Sequence, residues 1–202
     1  AVVGKFPLPE SDSELAASAI GQGRVSVSPL HMASVAAAAR TGTWRAPYLV
    51  EPTPDLDTEL GDGVARPLTR FMRAVVEDED ATAPNVLVEG YDMGGKTGTS
   101  QVRRISLAER DRGVRKNKDR PWRERDHALF VGYAPMDAPR YVVAVIVEHG
   151  GGGSKAAAPI AKDVLLETQK RDPSASRAGR VAAAPKQAAP GQSATSPGGQ
   201  PQ

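Results

Sequence analysis

Apolar residues at positions 68, 71, 72, 75 and 76 recur at three- and four-residue intervals, the spacing of one helix face, and predict a helix over residues 68–76. Four acids, Glu77-Asp78-Glu79-Asp80, follow at its C-terminal end, where the helix dipole opposes them and the helix should fray. An earlier helix is predicted over residues 30–40, an Ala-rich stretch entered through Ser28-Pro29, a cap followed by a first-turn proline. Gly21-Gln22-Gly23 before it reads as a joint, and Thr41-Gly42-Thr43 ends it. Residues 44–50 read as extended, and Pro52 and Pro54 open an acidic loop that runs to Asp62.

Beyond Met93 the pattern changes to that of strands, predicted over 94–102, 127–134 and 140–148. Residues 135–139, Pro-Met-Asp-Ala-Pro, form a tight hairpin turn between the last two. The connection 103–126 between the first two carries ten Lys/Arg against five Asp/Glu and reads as a solvated loop. Four glycines, 150–153, release the chain into a final helix over about 159–170, with Ile160, Val164 and Leu165 expected on its buried face. Helices, three antiparallel strands and a last helix make the fold class α+β.

Composition changes this picture at the C-terminus. Residues 173–202 are almost wholly Ala, Pro, Gly, Ser and Gln. They cannot bury enough surface to offset ordering entropy, so a disordered tail is expected after a domain of residues 1–172. The tail holds Arg177, Arg180 and Lys186 and no acid, so the formal charge of +2 leaves residues 1–172 one negative. The basic pI of about 9.0 is therefore a property of the tail and not of a globular face, which argues against a nucleic-acid partner. Aromatic residues are 4% of the chain, so any core rests on Ala, Val, Leu and Ile. The absence of cysteine excludes disulfides, thiolate metal sites and a Cys nucleophile. The longest apolar run, residues 141–147, is too short to span a bilayer. The sequence opens without Met and without the pattern of a signal peptide, and the natural start is expected upstream.

Candidate chemistry centres on Gly94-Gly95-Lys96-Thr97-Gly98-Thr99-Ser100. Gly90, Gly95, Lys96 and Thr97 match the phosphate-cradling pattern G-x-x-x-x-G-K-[ST]. That loop works only where a helix begins at the Lys, and here a glycine among β-branched residues follows instead. A P-loop nucleotide binder is thus the lesser alternative. The second pattern is Lys-Thr-Gly on a strand, where an ammonium, hydroxyls and a backbone N–H could serve a carboxylate and an oxyanion formed in acyl transfer. Alternation places Lys96 and Gly98 on one strand face and Thr97 and Thr99 on the other, unless a bulge re-aims them.

The Lys-Thr-Gly does not stand alone. Ala19-Ile20-Gly21-Gln22-Gly23 and Val27-Ser28-Pro29-Leu30-His31-Met32-Ala33 precede it. His127-Ala128-Leu129-Phe130-Val131-Gly132-Tyr133-Ala134-Pro135 and the stretch from Val147 through the glycines to Ser154 follow it. In this order, over about residues 6–172, the chain resembles the C-terminal part of the transpeptidase domain of a class B penicillin-binding protein. Its second half is similar to penicillin-binding protein 2 of the elongation machinery, and its first half to actinobacterial relatives.

The resemblance implies a penicillin-binding or serine β-lactamase-like fold and a peptidoglycan D,D-transpeptidase with no cofactor or metal. It implies stem peptides as substrate, β-lactams as inhibitors, and a glycosyltransferase of the elongation machinery as partner. It implies the periplasmic face of a bacterial envelope, with an inner-membrane anchor outside this sequence. It also implies site roles: Lys96 for positive potential, Thr97, Gly98 and Thr99 for the substrate carboxylate, and the Thr99 amide for the oxyanion.

Two motifs of that family are missing. No Ser stands three residues before any Lys, so S-x-x-K and its nucleophile are absent, and no Asn is preceded two residues earlier by Ser. The chain is therefore expected to be inactive alone, and a non-catalytic binding module of the same fold is the alternative. His31 replaces the family's usual Gln, and residues 77–80 stand where relatives tend to have a Gly-Gly-Thr-like turn. His31, His127 and His149 share no ligand spacing and read as structural residues with satisfied nitrogens. Ser100 has no basic partner in sequence and is not expected to be a nucleophile.

Overall fold

The computed structural model describes residues 4–48, 57–103 and 105–175. The chain divides into two units, residues 1–171 and 172–202. In the first, β1 (Gly4–Lys5) pairs antiparallel with β2 (Ser26–Val27), and α1 (Asp12–Ala19) lies between them. Ser11 caps α1 by accepting from the Glu14 N–H. α2 (Pro29–Thr41) begins and ends where the sequence puts its signals. Ser28 accepts from the His31 N–H, Pro29 takes the first turn, and Gly42 closes the helix in the left-handed region at φ 79°. β3 (Thr43–Trp44) and β4 (Thr58–Glu59) make a second short ribbon. Of the expected extended run, Trp44 ends β3 and residues 45–48 belong to no strand. β4 and the first residues of the next helix, from Gly61, stand where the acidic loop was expected to run to Asp62, and residues 49–56 lie outside the described residues.

α3 (Gly61–Glu77) starts well before the expected 68–76. Pro67 lies inside it and leaves the Gly63 carbonyl without its helical donor, but both residues are exposed and water can serve that carbonyl. The helix stops at the first of the four acids, with Arg73 and Glu77 paired at 3.3 Å and Asp78 already extended. A 3-10 turn (Pro84–Val86) leads to β5 (Gly94–Ser100). β6 (His127–Ala134) and β7 (Tyr141–Val147) complete an antiparallel sheet of order β5-β6-β7.

α5 (Gly153–Arg171) follows the glycine run directly, with Pro159 inside it; α4 (Leu107–Arg112) lies in the connection between β5 and β6. The buried face of α5 is Ala157, Ala158, Ala161 and Leu165. Ile160 and Val164, expected to be buried, are 46% and 48% exposed. The sheet selects small residues here, because alanines let a helix approach a surface already filled by Phe130 and the valines of β7.

One sheet face packs Ala128, Phe130 and Ala134 against α5, and Val76, Val86 and Met93 close that core. On the other, Tyr133 meets Ala36 and Ala39 of α2, Met72 of α3, and Met136. Gly95 makes room for this arrangement: a Cβ there would stand 2.3 Å from the Phe130 ring. Two helices, a sheet and one helix in three layers are the α+β architecture expected. In the second unit, residues 173–175 are helical, with Ala175 N–H donating to Asp172 O at 3.1 Å, where a disordered tail was expected to begin. The rest of that expected tail, residues 176–202, lies outside the described residues.

Candidate active-site strand

β5 is an edge strand, paired only with β6 among the described residues, and its register is unbroken from Gly94↔Tyr133 to Ser100↔His127. No bulge re-aims its side chains. Lys96 therefore shares a face with its partner Val131, toward α2 and α3, while Thr97 and Thr99 share the α5 face with Phe130 and Ala128. Lys96, Thr99 and Ser100 are exposed, and Thr97 and Gly98 half-buried. The Lys96 side chain bends round the edge: Nζ donates to the Thr97 carbonyl at 2.8 Å and lies 3.4 Å from Thr97 Oγ1. The ammonium and the Thr97 hydroxyl thus meet at the rim although alternation assigns them opposite faces. An ammonium reaching the Thr97 carbonyl at the rim marks it as turned to the free edge, and alternation then turns the Thr99 N–H the same way. The strand can offer an anion a cation, a hydroxyl and a backbone donor together.

The strand geometry overturns the P-loop alternative. Residues 94–100 are all strand, and the next helix starts at Leu107, so no helix N-terminus stands at Lys96 to receive a phosphate.

Flanking the strand, the connection 103–126 is built where a solvated loop was expected. Arg103 grips Glu109 of α4 through two bonds of 2.7 and 2.6 Å, and this guanidinium holds the Glu109 carboxyl below the usual range. Further on, Arg120 and Asp126 are buried 3.5 Å apart. Asn117 Nδ2 donates to Asp126 Oδ2 at 2.9 Å, and its Oδ1 accepts from the Asp126 N–H at 3.0 Å. Residue spacing alone carried no signal for this pairing, since the ten basic side chains look interchangeable in the sequence.

His127 and His149 come together, with ring centroids 4.7 Å apart. The His149 N–H donates to His127 Nδ1 at 2.9 Å, and His149 Nδ1 lies 2.9 Å from Arg125 O. These contacts are structural, as expected. His31 differs: its Nδ1 is buried without a hydrogen-bond partner. Among the described residues, no group of three His, Asp or Glu could hold a metal ion.

A cavity of about 480 Å³ opens elsewhere, against Arg40, Arg66, Arg70, Arg73, Tyr133 and Asp137. None of Lys96, Thr97, Gly98 or Thr99 lines it. The chemistry-bearing residues sit on an open edge, so that concavity is separate from the candidate site. Burial pushes the Tyr133 phenol above its usual value, against the opposing pull of Arg40 and Arg73.

A family model, the penicillin binding protein transpeptidase domain, matches residues 3–166, and the chain belongs to that family. Stage V sporulation protein D of Bacillus subtilis is 33% identical over 184 residues, which cover 81% of this chain and 26% of that protein. The peptidoglycan D,D-transpeptidase MrdA of Acinetobacter baumannii is 31% identical over 170 residues, 76% of this chain and 24% of its own. Penicillin-binding protein 3 of Mycobacterium tuberculosis, solved in complex with aztreonam, matches with a TM-score of 0.59 at 27% identity, over 84% of this chain and 41% of its own. The chain spans about a quarter of the length of these two curated relatives. The similarity fits the C-terminal part of a class B penicillin-binding protein.

Proposed function

We propose that this chain is the β5-side wall of the active site of a peptidoglycan D,D-transpeptidase of the bacterial envelope. The observation that carries the reading is the exposed, unbulged Lys96-Thr97-Gly98-Thr99 edge in a chain of this family. In the reaction, a serine Oγ supplied by another part of the full protein attacks the carbonyl of the penultimate D-Ala of a stem peptide. The terminal D-Ala leaves as its amine, taking the proton, and an amine of a neighbouring stem then displaces the ester and regenerates the serine.

In this scheme Lys96 supplies positive potential and the Thr97 and Thr99 hydroxyls bind the terminal carboxylate. The Thr99 N–H, turned to the free edge, receives the oxyanion of both tetrahedral intermediates. Gly98 presents no side chain on the Lys96 face, so the substrate can approach the backbone there. β-Lactams acylate the same serine. A glycosyltransferase of the elongation machinery as partner, and an anchor in the inner membrane, belong to the same proposal.

The test uses the gene's full-length product and a fluorescent penicillin read on a denaturing gel. Covalent labelling is expected, blocked by unlabelled β-lactam, and Lys96→Ala should slow it about 10²–10³-fold with the fold intact. The 202-residue chain alone should not label, having no Ser three residues before a Lys. An unlabelled full-length protein overturns the enzyme in favour of the non-catalytic module, and full-rate labelling of Lys96→Ala overturns the role of the strand.

A further inference from the structure

The four glycines that lead into α5, the last of which is its first residue, are not equivalent. Gly150 faces the Val147 and Ala128 side chains. Gly151 adopts φ 83° and donates its N–H to Asp126 O at 2.8 Å, which ties the connection to the end of β7. A Cβ on Gly152 would meet nothing within 4 Å. A Cβ on Gly153 would stand 2.4 Å from Leu129 O, 2.5 Å from Gly98 O and 3.0 Å from Gly98 N.

All three of those atoms are backbone, so no side chain can rotate away. They belong to residues that face each other across the β5–β6 ladder, Gly98↔Leu129. Gly153 thus lies on the centre of the candidate strand from behind. It fits between Thr97 and Thr99, which stand on the α5 face, because Gly98 shows α5 only its backbone there.

We propose that Gly153 is a positioning residue for the Lys96–Thr99 strand, seating the first turn of α5 against the Gly98 backbone and so fixing where the neighbouring Thr99 N–H lies. This rests on the reading of the strand as a transpeptidase wall. Three features decide which partner yields to an added methyl. β6 is held between β5 and β7. α5 is held by Ala157, Ala158, Ala161 and Leu165, all buried. Of these three elements only β5 has a free edge among the described residues, so the strain falls on it. Relieving contacts this short requires a shift of roughly 1 Å, and a misplacement of that size in a catalytic group can cost about 10²-fold in rate.

The first measurement needs no variant and no activity. In the isotopically labelled wild-type 202-residue chain, the Gly153 α-protons should show a nuclear Overhauser effect to the Gly98 amide, and its absence overturns the proposal. The second compares Gly153→Ala, Gly152→Ala and Leu165→Ala in the full-length product. Leu165→Ala is a stability control, since its side chain is 1% exposed and lies about three turns along α5 from Gly153, away from Gly98. Gly153→Ala should lower the β-lactam acylation rate constant about ten- to hundredfold while leaving the dissociation constant of the preceding non-covalent complex within about threefold. Gly152→Ala should match wild type, and Leu165→Ala should lower the melting temperature yet keep the acylation rate constant of wild type. Equal rate constants in Gly153→Ala and wild type, or equal losses in Gly153→Ala and Leu165→Ala, overturn it. Failure of wild type to acylate defeats the transpeptidase reading, and the Overhauser contact still decides the packing of Gly153 on Gly98.

Discussion

Arg120 and Asp126 lie 3.5 Å apart with their side chains only 5% and 9% exposed, so each holds the other's charge away from water. Removing one partner leaves the other charge uncompensated in a dry site. Arg120→Met should therefore destabilise the protein by about 3 kcal/mol, toward the low end for such pairs. The loss should appear in thermal melts and as faster amide exchange across residues 115–126. Unchanged melting and exchange would show that the pair does not hold the connection.

The same burial sorts the arginine cleavage sites. Arg110, Arg112, Arg115 and Arg123 are exposed, whereas Arg120 is 6% exposed. Brief digestion with clostripain, an arginine-specific protease that also cuts before proline, followed by mass mapping should give first cuts within 110–123 and none at the bond that follows Arg120. Early cleavage at Arg120 contradicts the packed arrangement.

Along α5 two sets of substitutions should separate. Leu165→Ala, at a site 1% exposed, should cost about 2–5 kcal/mol. Ala161→Leu, at 0% exposure, should cost about 1–3 kcal/mol by overpacking. Ile160→Ser and Val164→Ser should each stay within about 0.5 kcal/mol in this chain. Denaturant midpoints at constant slope distinguish the two sets, and the reverse ranking restores the face expected from sequence.

Glu109 gives a pH dependence. Its carboxyl is lowered first by the side-chain hydrogen bonds from Arg103 and then by the charge of that guanidinium. A group lowered on folding contributes stability that is present above its unfolded value and is lost as pH falls through the folded one. α4 should thus stay anchored through neutral and mildly acidic pH and loosen only below the ordinary glutamate range. A carbon-detected titration should place the Glu109 midpoint below that of a free Glu, and Arg103→Ala should return it upward. An unshifted midpoint in the wild-type chain would mean the two-bond contact is not held in solution.

Where signals were local, the sequence was legible. Ser28, Pro29 and Gly42 bound α2, and β6 runs from His127 to Ala134 as its pattern indicates. Both helices whose starts differ from expectation contain a proline. Pro67 directly precedes the expected start of one and Pro159 is the expected start of the other, yet α3 begins at Gly61 and α5 at Gly153. Local propensity cannot reveal that the packing of Gly153, Ala157 and Ala158 holds the turn ahead of Pro159. The face of α5 was misjudged for a related reason, because burial there goes to the residue that fits the gap and not to the most apolar one. The Lys96 to Thr99 motif is visible in the sequence, but the free edge it occupies and the contact of Gly153 depend on partners far off in sequence.

The hydrogen bond from Lys96 Nζ to the carbonyl of its own neighbour occupies one of the three donors that an ammonium carries. Under the proposed role, a carboxylate arriving at this edge takes up the remaining donors without displacing that carbonyl. The bond then works as a tether: it holds a long flexible side chain at the rim before any ligand comes, and so lowers the entropy lost when one docks.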